Sequence, residues 1–339
     1  MAAATRAWIL TLFAVCGARS DPAAAWGHDG HVLIGAVADT LIAGTPAAAQ
    51  VKRILGAEPL QQAALWADCA RNVTDAAPHR YIANPRFPEC EPFETPAGQQ
   101  ELESYVARNL TACHPSGEQE VCHKQYHFTD VAVERDSYER RDVGTSDHDV
   151  VGAIEACIAV LQGKRSPAPF DIENSKEALR LLAHFVGDVH QPLHVGAVYL
   201  SPSGELVDPD RGRFDPQSAT RGGNLLKQGP HNLHSEWDGI PTALRIDRFK
   251  PEAVTLAARV APVAGALKRW PIAWASDTVI ASHEAFAGLR FGPEESSEAG
   301  REWSFHAPRG YARRRHELQR TQLVKAAARL AQVLEAIWR

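Results

Sequence analysis

Two His-x-x-x-Asp pairs stand out in this sequence. The first is His184 and Asp188, in the stretch His-Phe-Val-Gly-Asp-Val-His-Gln-Pro-Leu-His that also supplies His194. The second is His234 and Asp238, in Asn-Leu-His-Ser-Glu-Trp-Asp. Residues four apart share one helix face, about one turn apart. An imidazole nitrogen and a carboxylate oxygen then lie side by side, which is a zinc-type donor set. One such pair is commonly a surface ion pair or a satisfied core histidine. Two pairs, with His194 just past a helix-ending Pro192, read instead as a metalloenzyme.

The elements that must carry these residues show apolar spacing of three to four. Val150, Val151, Ile154, Cys157, Ile158 and Leu161 mark one helix, with Ser146 as its expected cap. Leu179, Leu182, Phe185 and Val186 mark another, whose other face carries His184 and Asp188. Leu318, Leu323, Ala326, Leu330, Val333, Leu334 and Ile337 mark a long C-terminal helix. Further helices are expected near 28–43, 46–55, 252–268 and 271–287. No run alternates as a strand does. The stretches 72–125 and 198–223 read as long loops, and loops of that length in a compact domain are often functional. The expectation is a mostly α, single-domain protein without internal repeats.

With 339 residues, 45% of them hydrophobic, the chain can bury a sizeable core. Its first 25 residues differ from the rest. Arg6 precedes an apolar run from Ala7 to Ala18, and Ala23-Ala24-Ala25 follows a polar segment. That is the pattern of a secretory signal peptide with an Ala-x-Ala cleavage site. The run is too short to span a bilayer, and no later segment is apolar enough. The expected mature domain is therefore 26–339, soluble, without a membrane partner, and secreted or periplasmic. Export permits disulfides. Cys69, Cys90, Cys113 and Cys122 can form one or two, with the pairing left open, and Cys157 is expected to be a buried free thiol. The net charge of −5 argues against a broad basic surface for duplex nucleic acid. Asn72-Val-Thr74 and Asn109-Leu-Thr111 fit the N-glycosylation pattern.

The chain resembles the S1/P1 nuclease family, within the zinc-dependent phospholipase C-like superfamily. The resemblance rests on Trp26-Gly27-x-x-Gly30-His31, Trp66-Ala67-Asp68-x-x-Arg71 and His127-Phe128-x-Asp130. It continues through the His184 to His194 block, Gly222-Gly223-Asn224 and Asn232-Leu233-His234-x-x-Trp237-Asp238. It runs from Trp26 to near the C-terminus, with 72–125 as an insertion that reads as a disulfide-clipped lid.

The resemblance implies an all-α, single-domain, multi-helical phospholipase C/P1 nuclease-like fold with long loops, holding three Zn²⁺ per chain. It places Asp68, His127, His184 and Asp188 around one zinc, and His194, His234 and Asp238 around a second. Trp26, through its α-amino nitrogen and carbonyl oxygen, joins His31 and a bridging Asp188 around the third. It makes Arg71, near the metal of Asp68, a catalytic or phosphate-binding residue, Asp188 a catalytic one, Phe128 a stacking ring and Asp130 an acceptor for base hydrogen bonds. His79 lies closer to Asp68 in sequence, but His127 brings Phe128 and Asp130 into the family's register and is the expected ligand. His190 lies off the His184/Asp188 face.

The implied activity is a secreted endonuclease, a monomer, that hydrolyses single-stranded DNA and RNA to 5′-phosphate products, with 3′-nucleotidase activity on nucleotides. Hydroxide activated by the three zincs would attack phosphorus. The alternative within the superfamily is a secreted zinc phospholipase C. Asp238, where the lipases would carry a longer Glu, favours the nuclease. A third possibility is a zinc-binding protein without turnover.

Overall fold

Apolar residues three and four apart become helices wherever a capping residue precedes them. Thr45 accepts the Ala48 N–H and Pro46 opens the first turn of the helix Pro46–Leu55. Asn174 accepts the Lys176 and Glu177 N–H groups at the start of Ser175–Asp188. The computed structural model describes residues 26–115, 119–297 and 300–339. The expected signal peptide, residues 1–25, lies outside them.

Thirteen α-helices occur among the described residues. They are α1 (Gly27–Leu41), α2 (Pro46–Leu55), α3 (Leu60–Ala63), α4 (Trp66–Cys69), α5 (Pro96–Arg108), α6 (Cys122–Gln125), α7 (Val150–Leu161) and α8 (Ser175–Asp188), then α9 (Pro192–Val195), α10 (Leu233–Asp238), α11 (Ile246–Ala257), α12 (Trp270–Phe286) and α13 (Tyr311–Ile337). Helix α8 is the centre of the molecule, buried from Glu177 to Asp188, with α1, α7 and α13 packed around it. Charges buried there are paired, since an unpaired buried charge costs several kcal/mol. Arg180 meets Glu58 at 2.7 Å and Glu101 at 2.6 Å, and Glu177 meets Arg108 at 2.7 Å.

The structure corrects several expectations. Helix α7 is capped by Asp149, whose carboxylate accepts the Val151 and Gly152 N–H groups and the Tyr138 hydroxyl. Ser146 instead accepts the His148 N–H in the preceding turn. Pro192 opens the short α9 rather than closing α8, which ends at Asp188. Helix α11 begins six residues earlier than the expected 252 and takes Pro251 into its body.

The 72–125 stretch is not a long loop. It contains α5, which buries Leu102, Tyr105 and Val106 and ties itself to α8 through Arg108. Disulfides Cys69–Cys90 and Cys113–Cys122 close it, and Cys157 is free and buried. Asn109 is also buried, and bonds the Asp171 main chain at 2.9 and 3.0 Å, so it cannot carry a glycan.

Nor is the chain purely α. A four-stranded sheet has the order β4-β3-β6-β5, from β3 (Leu226–Gln228), β4 (His231–Asn232), β5 (Arg290–Ser297) and β6 (Gly300–His306). A second, parallel pair joins β1 (Val131–Ala132) to β2 (Gly196–Ala197). Among the described residues, no helix is long and apolar enough to cross a membrane.

Candidate metal centre

Five helices deliver acidic and imidazole side chains to one buried region. Helix α1 brings His31, α4 brings Asp68, α8 brings His184 and Asp188, α9 brings His194, and α10 brings His234 and Asp238. His127 enters from the segment after α6. The β1–β2 pairing and the Thr129 N–H to His194 carbonyl bond, at 2.8 Å, hold that segment against α9.

Three groups result, two of them sharing residues. In the first, His184 Nε2 lies 3.1 Å from Asp188 Oδ2, 3.0 Å from His127 Nδ1 and 3.8 Å from Asp68 Oδ1. His127 Nδ1 is 3.0 Å from Asp188 Oδ2 and 4.0 Å from Asp68 Oδ1. In the second, His234 Nε2 is 3.0 Å from His194 Nε2 and 3.7 Å from Asp238 Oδ1. In the third, His31 Nε2 is 3.3 Å from Asp188 Oδ1, while its ring stacks on His184 at 3.9 Å. Asp188 thus presents one oxygen to His127 and His184 and the other to His31. His31 also converges with Asp68 and His184, within 4.8 Å, so the first and third groups form one cluster, and Asp188 acts electrostatically on His194 of the second.

Main-chain carbonyls fix how the rings face. The Nδ1 atoms of His184, His194 and His234 bond the carbonyls of Ala64, His127 and Gly222 at 2.7, 2.9 and 2.8 Å. A ring that donates its Nδ1–H turns the Nε2 lone pair inward, the usual support for a metal-bound histidine. Two inward lone pairs 3.0 Å apart repel unless a proton or cation lies between them. Other atoms point the same way. Both nitrogens of His31, Asp68 Oδ1, Asp188 Oδ1 and Asp238 Oδ2 are buried without a hydrogen-bond partner. Burying such groups unsatisfied is costly. The donor set of imidazoles and carboxylates fits zinc.

Burial pushes His194 down to about 3 and His234 down to about 4, so both are neutral donors. Burial likewise lowers His31 and His127, and it holds Asp238 well above the usual carboxylate range. Burial also acts on His184 and Asp188, but their mutual attraction outweighs it. Asp188 and Asp68 raise His184 to about 9, and the charge of His184 with the hydrogen bonds from His127 and His184 keeps Asp188 ionised.

Two glycines make the approach possible. A Cβ on Gly187 would lie 2.7 Å from His31 Cε1, so only glycine lets α8 meet the His31 ring. Gly222, at φ +56°, would place a Cβ 2.2 Å from the Leu193 carbonyl oxygen.

The remaining expected residues surround the cluster. Trp26 is buried, and its Nε1 donates to the Gly187 carbonyl at 2.9 Å, one residue before Asp188. Arg71 lies half-buried on the turn after α4, forms no ion pair among the described residues, and acts electrostatically on His234 and Asp238. Phe128 is half-buried beside His127. Asp130 accepts the Gly222 N–H, and burial pushes its carboxyl up to about 7 despite Arg221. His79 stays outside, with its Nδ1 3.2 Å from the Thr74 carbonyl. His190 is a core residue that bonds the Val186 carbonyl and Arg329. Sequence reasoning passed over Gln191, whose Nε2 donates to Asp238 Oδ1 at 2.9 Å. Its place between His190 and Pro192, inside the histidine-rich block, was the available signal.

The model of the family described as S1/P1 Nuclease matches residues 114–339. Endonuclease 1 of Arabidopsis thaliana is 32% identical over 130 residues, which cover 35% of this chain and 36% of that protein. Nuclease P1 of Penicillium citrinum is 34% identical over 99 residues, covering 29% of this chain and 28% of that protein. The chain thus matches about a third of the length of these relatives. Trp26, His31, Asp68 and Arg71 precede the family-matched stretch and meet the later residues only in space. With the match covering well over half of its residues, the chain belongs to the S1/P1 nuclease family.

Proposed function

We propose that the protein is a zinc-dependent endonuclease acting on single-stranded DNA and RNA, leaving 5′-phosphates, with 3′-nucleotidase activity. The observation that carries this reading is the position of Asp188, with one carboxylate oxygen toward His127 and His184 and the other toward His31. Such a carboxylate suits a cluster of three ions. Asp68, His127, His184 and Asp188 would hold one, and His194, His234 and Asp238 a second. Trp26 and His31, with Asp188, would hold the third. The fold proposed with this centre is the phospholipase C/P1-like one.

Zinc, when bound, supplies Lewis acidity at the phosphoryl group and activates the water that attacks it. The chain's own groups do the rest. Arg71, without a carboxylate partner among the described residues, is free to grip a phosphate oxygen pair. The Phe128 ring stacks on a splayed base, which favours unpaired strands. Asp130 accepts hydrogen bonds from that base. Gln191 holds the Asp238 carboxylate in its orientation.

The two disulfides suit an oxidising compartment. Removal of residues 1–25 on export would expose the Trp26 amine, completing the third site in a secreted or periplasmic monomer of residues 26–339. The test is to incubate zinc-loaded mature protein with single-stranded oligonucleotides, the matching duplex and phosphatidylcholine vesicles. Preferred hydrolysis of the single strands to 5′-phosphates is expected. Hydrolysis of phosphatidylcholine alone would overturn the reading in favour of a phospholipase C.

A further inference from the structure

The helix that carries His234 and Asp238 is only six residues long, Leu233–Asp238. Helices this short are marginal in water on their own. The start of α10 is capped from within, where Asn232 accepts the Ser235 N–H at 2.7 Å. Its end must be held from outside, because the last carbonyls of a helix have no partner within it.

Helix α13 supplies that support. Tyr311, Arg315, Gln319 and Leu323 follow one another at intervals of four along it and form one stripe. The Tyr311 hydroxyl accepts the Trp237 indole N–H at 2.9 Å, and Arg315 pairs with Glu236. Gln319 Nε2 donates to the Trp237 carbonyl at 2.8 Å and to the Gly239 carbonyl at 3.0 Å. The two N–H bonds of one amide thus fix both residues that flank Asp238. One turn on, Leu323 reaches the start of α1, where a Cβ on Gly30 would lie 3.5 Å from Leu323 Cδ2 and 2.8 Å from Trp26 Cβ. A Cβ on Gly27 would in turn lie 3.1 Å from the Asp238 carbonyl oxygen, so the main chain at Asp238 packs between α13 and α1.

Gln319 is fully buried, and its Oε1 has no hydrogen-bond partner among the described residues. Burying an amide oxygen in that state is unfavourable, and an apolar side chain of the same length would fill the space without it. Packing alone therefore does not account for a glutamine here. Its nitrogen does, since it meets both carbonyls.

We propose that Gln319 is a positioning residue for the second ion: by holding the main chain on both sides of Asp238, it sets where that carboxylate meets His194 and His234. The proposal rests on the three-ion reading and deepens it. Gln191 orients the Asp238 carboxylate directly, while Gln319 fixes the backbone that carries it.

The experiment compares residues 26–339 of wild type with Gln319→Met, Gln322→Met, Asp238→Asn and the Gln319→Met/Asp238→Asn double variant. Methionine keeps the unbranched length and loses the donor. Gln322 is the control, buried on the same helix with neither amide atom hydrogen-bonded among the described residues. Each protein is loaded with Co²⁺, whose d–d absorption reports ligand geometry, and titrated with a chelator so that the ions leave in order of affinity. Gln319→Met is expected to weaken one ion of the three about 10- to 100-fold, and to shift the absorption that Asp238→Asn removes. Gln322→Met should leave both readings unchanged. In the Asp238→Asn background Gln319→Met should add nothing, because the ligand it positions is gone. Gln319→Asn, whose amide stops one carbon short of the two carbonyls, should repeat the result if the methionine variant does not fold. Unchanged cobalt affinity and spectrum in Gln319→Met would overturn the role of Gln319 and leave the second site standing. So would an equal loss in Gln322→Met, or the same loss on top of Asp238→Asn. Asp238→Asn holding as many ions as wild type, with the same spectrum, would remove the second site itself and the positioning role with it.

Discussion

His194 and His234 face one another with their Nε2 atoms 3.0 Å apart, and each anchors its Nδ1 on a main-chain carbonyl. The two rings come from different helices, forty residues apart in the chain. Burial keeps both neutral, so neither can donate from the inward nitrogen once Nδ1 carries the proton. The pair is preorganised for a cation, and Asp238 completes it from one turn along α10.

Gln191 is what holds Asp238 in that arrangement, by a bond of 2.9 Å between buried atoms. Replacing it with Leu keeps the bulk and removes the donor. Supports of this kind are worth about 10- to 100-fold in metal affinity. Gln191→Leu should therefore bind its weakest zinc about that much less tightly, measured by competition with a chromophoric chelator. Unchanged affinity would show that Asp238 needs no support.

Gly187 sets the distance between α8 and the His31 ring. Gly187→Ala forces a methyl against a stacked, buried imidazole. Overpacking of this sort costs about 1–3 kcal/mol. Denaturant unfolding should register that loss, and elemental analysis should find the zinc at His31 reduced. A fully stable, fully loaded variant would mean that α1 moves aside without consequence.

How much of this was legible beforehand differs by residue. The His184/Asp188 and His234/Asp238 pairs are local, so spacing alone revealed them. His127 was reached through its neighbours Phe128 and Asp130, because its partner Asp188 is 61 residues away. Gln191 stayed hidden for the same reason, since its place in the histidine-rich block does not show that it will meet Asp238, 47 residues away. Among the elements, α5 did carry signals, with Thr95-Pro96 as a cap and Leu102, Tyr105 and Val106 at helical spacing. The surrounding prolines and cysteines masked them. In β6, Trp303 and Phe305 alternate with Glu302 and Ser304, but its partner β5 reads Phe-Gly-Pro-Glu-Glu-Ser-Ser and has no alternation to match. Pairing across the sheet, not local pattern, makes it a strand.

His127 and His79 offer a direct test of register. His127→Ala removes a nitrogen that lies 3.0 Å from both Asp188 and His184, whereas His79→Ala touches only the Thr74 carbonyl. Zinc content and oligonucleotide turnover should fall sharply in the first and stay near wild type in the second. The reverse ranking would place the ligand in the insertion.

Asp130 makes stability depend on pH. An unfolded aspartate titrates near ~3.9, and the folded carboxyl is pushed up to about 7 by burial. Between those values the folded state binds the extra proton, so this group lowers stability as pH rises from about 4 to about 7 and adds nothing further above. Asp130→Asn removes the effect. Its unfolding midpoint relative to wild type should therefore be more favourable at pH 8 than at pH 5.5. A pH-independent difference would show that the carboxyl titrates normally.

The central claim is three zinc ions held by Trp26, His31, Asp68, His127, His184, Asp188, His194, His234 and Asp238. Anomalous diffraction recorded on both sides of the zinc edge, from crystals of unchelated mature protein, tests it most directly. Three peaks are expected, each enclosed by the residues assigned to it, with Asp188 between two of them. Fewer than three peaks, or a zinc bound at His79 or elsewhere outside this set, would contradict the account.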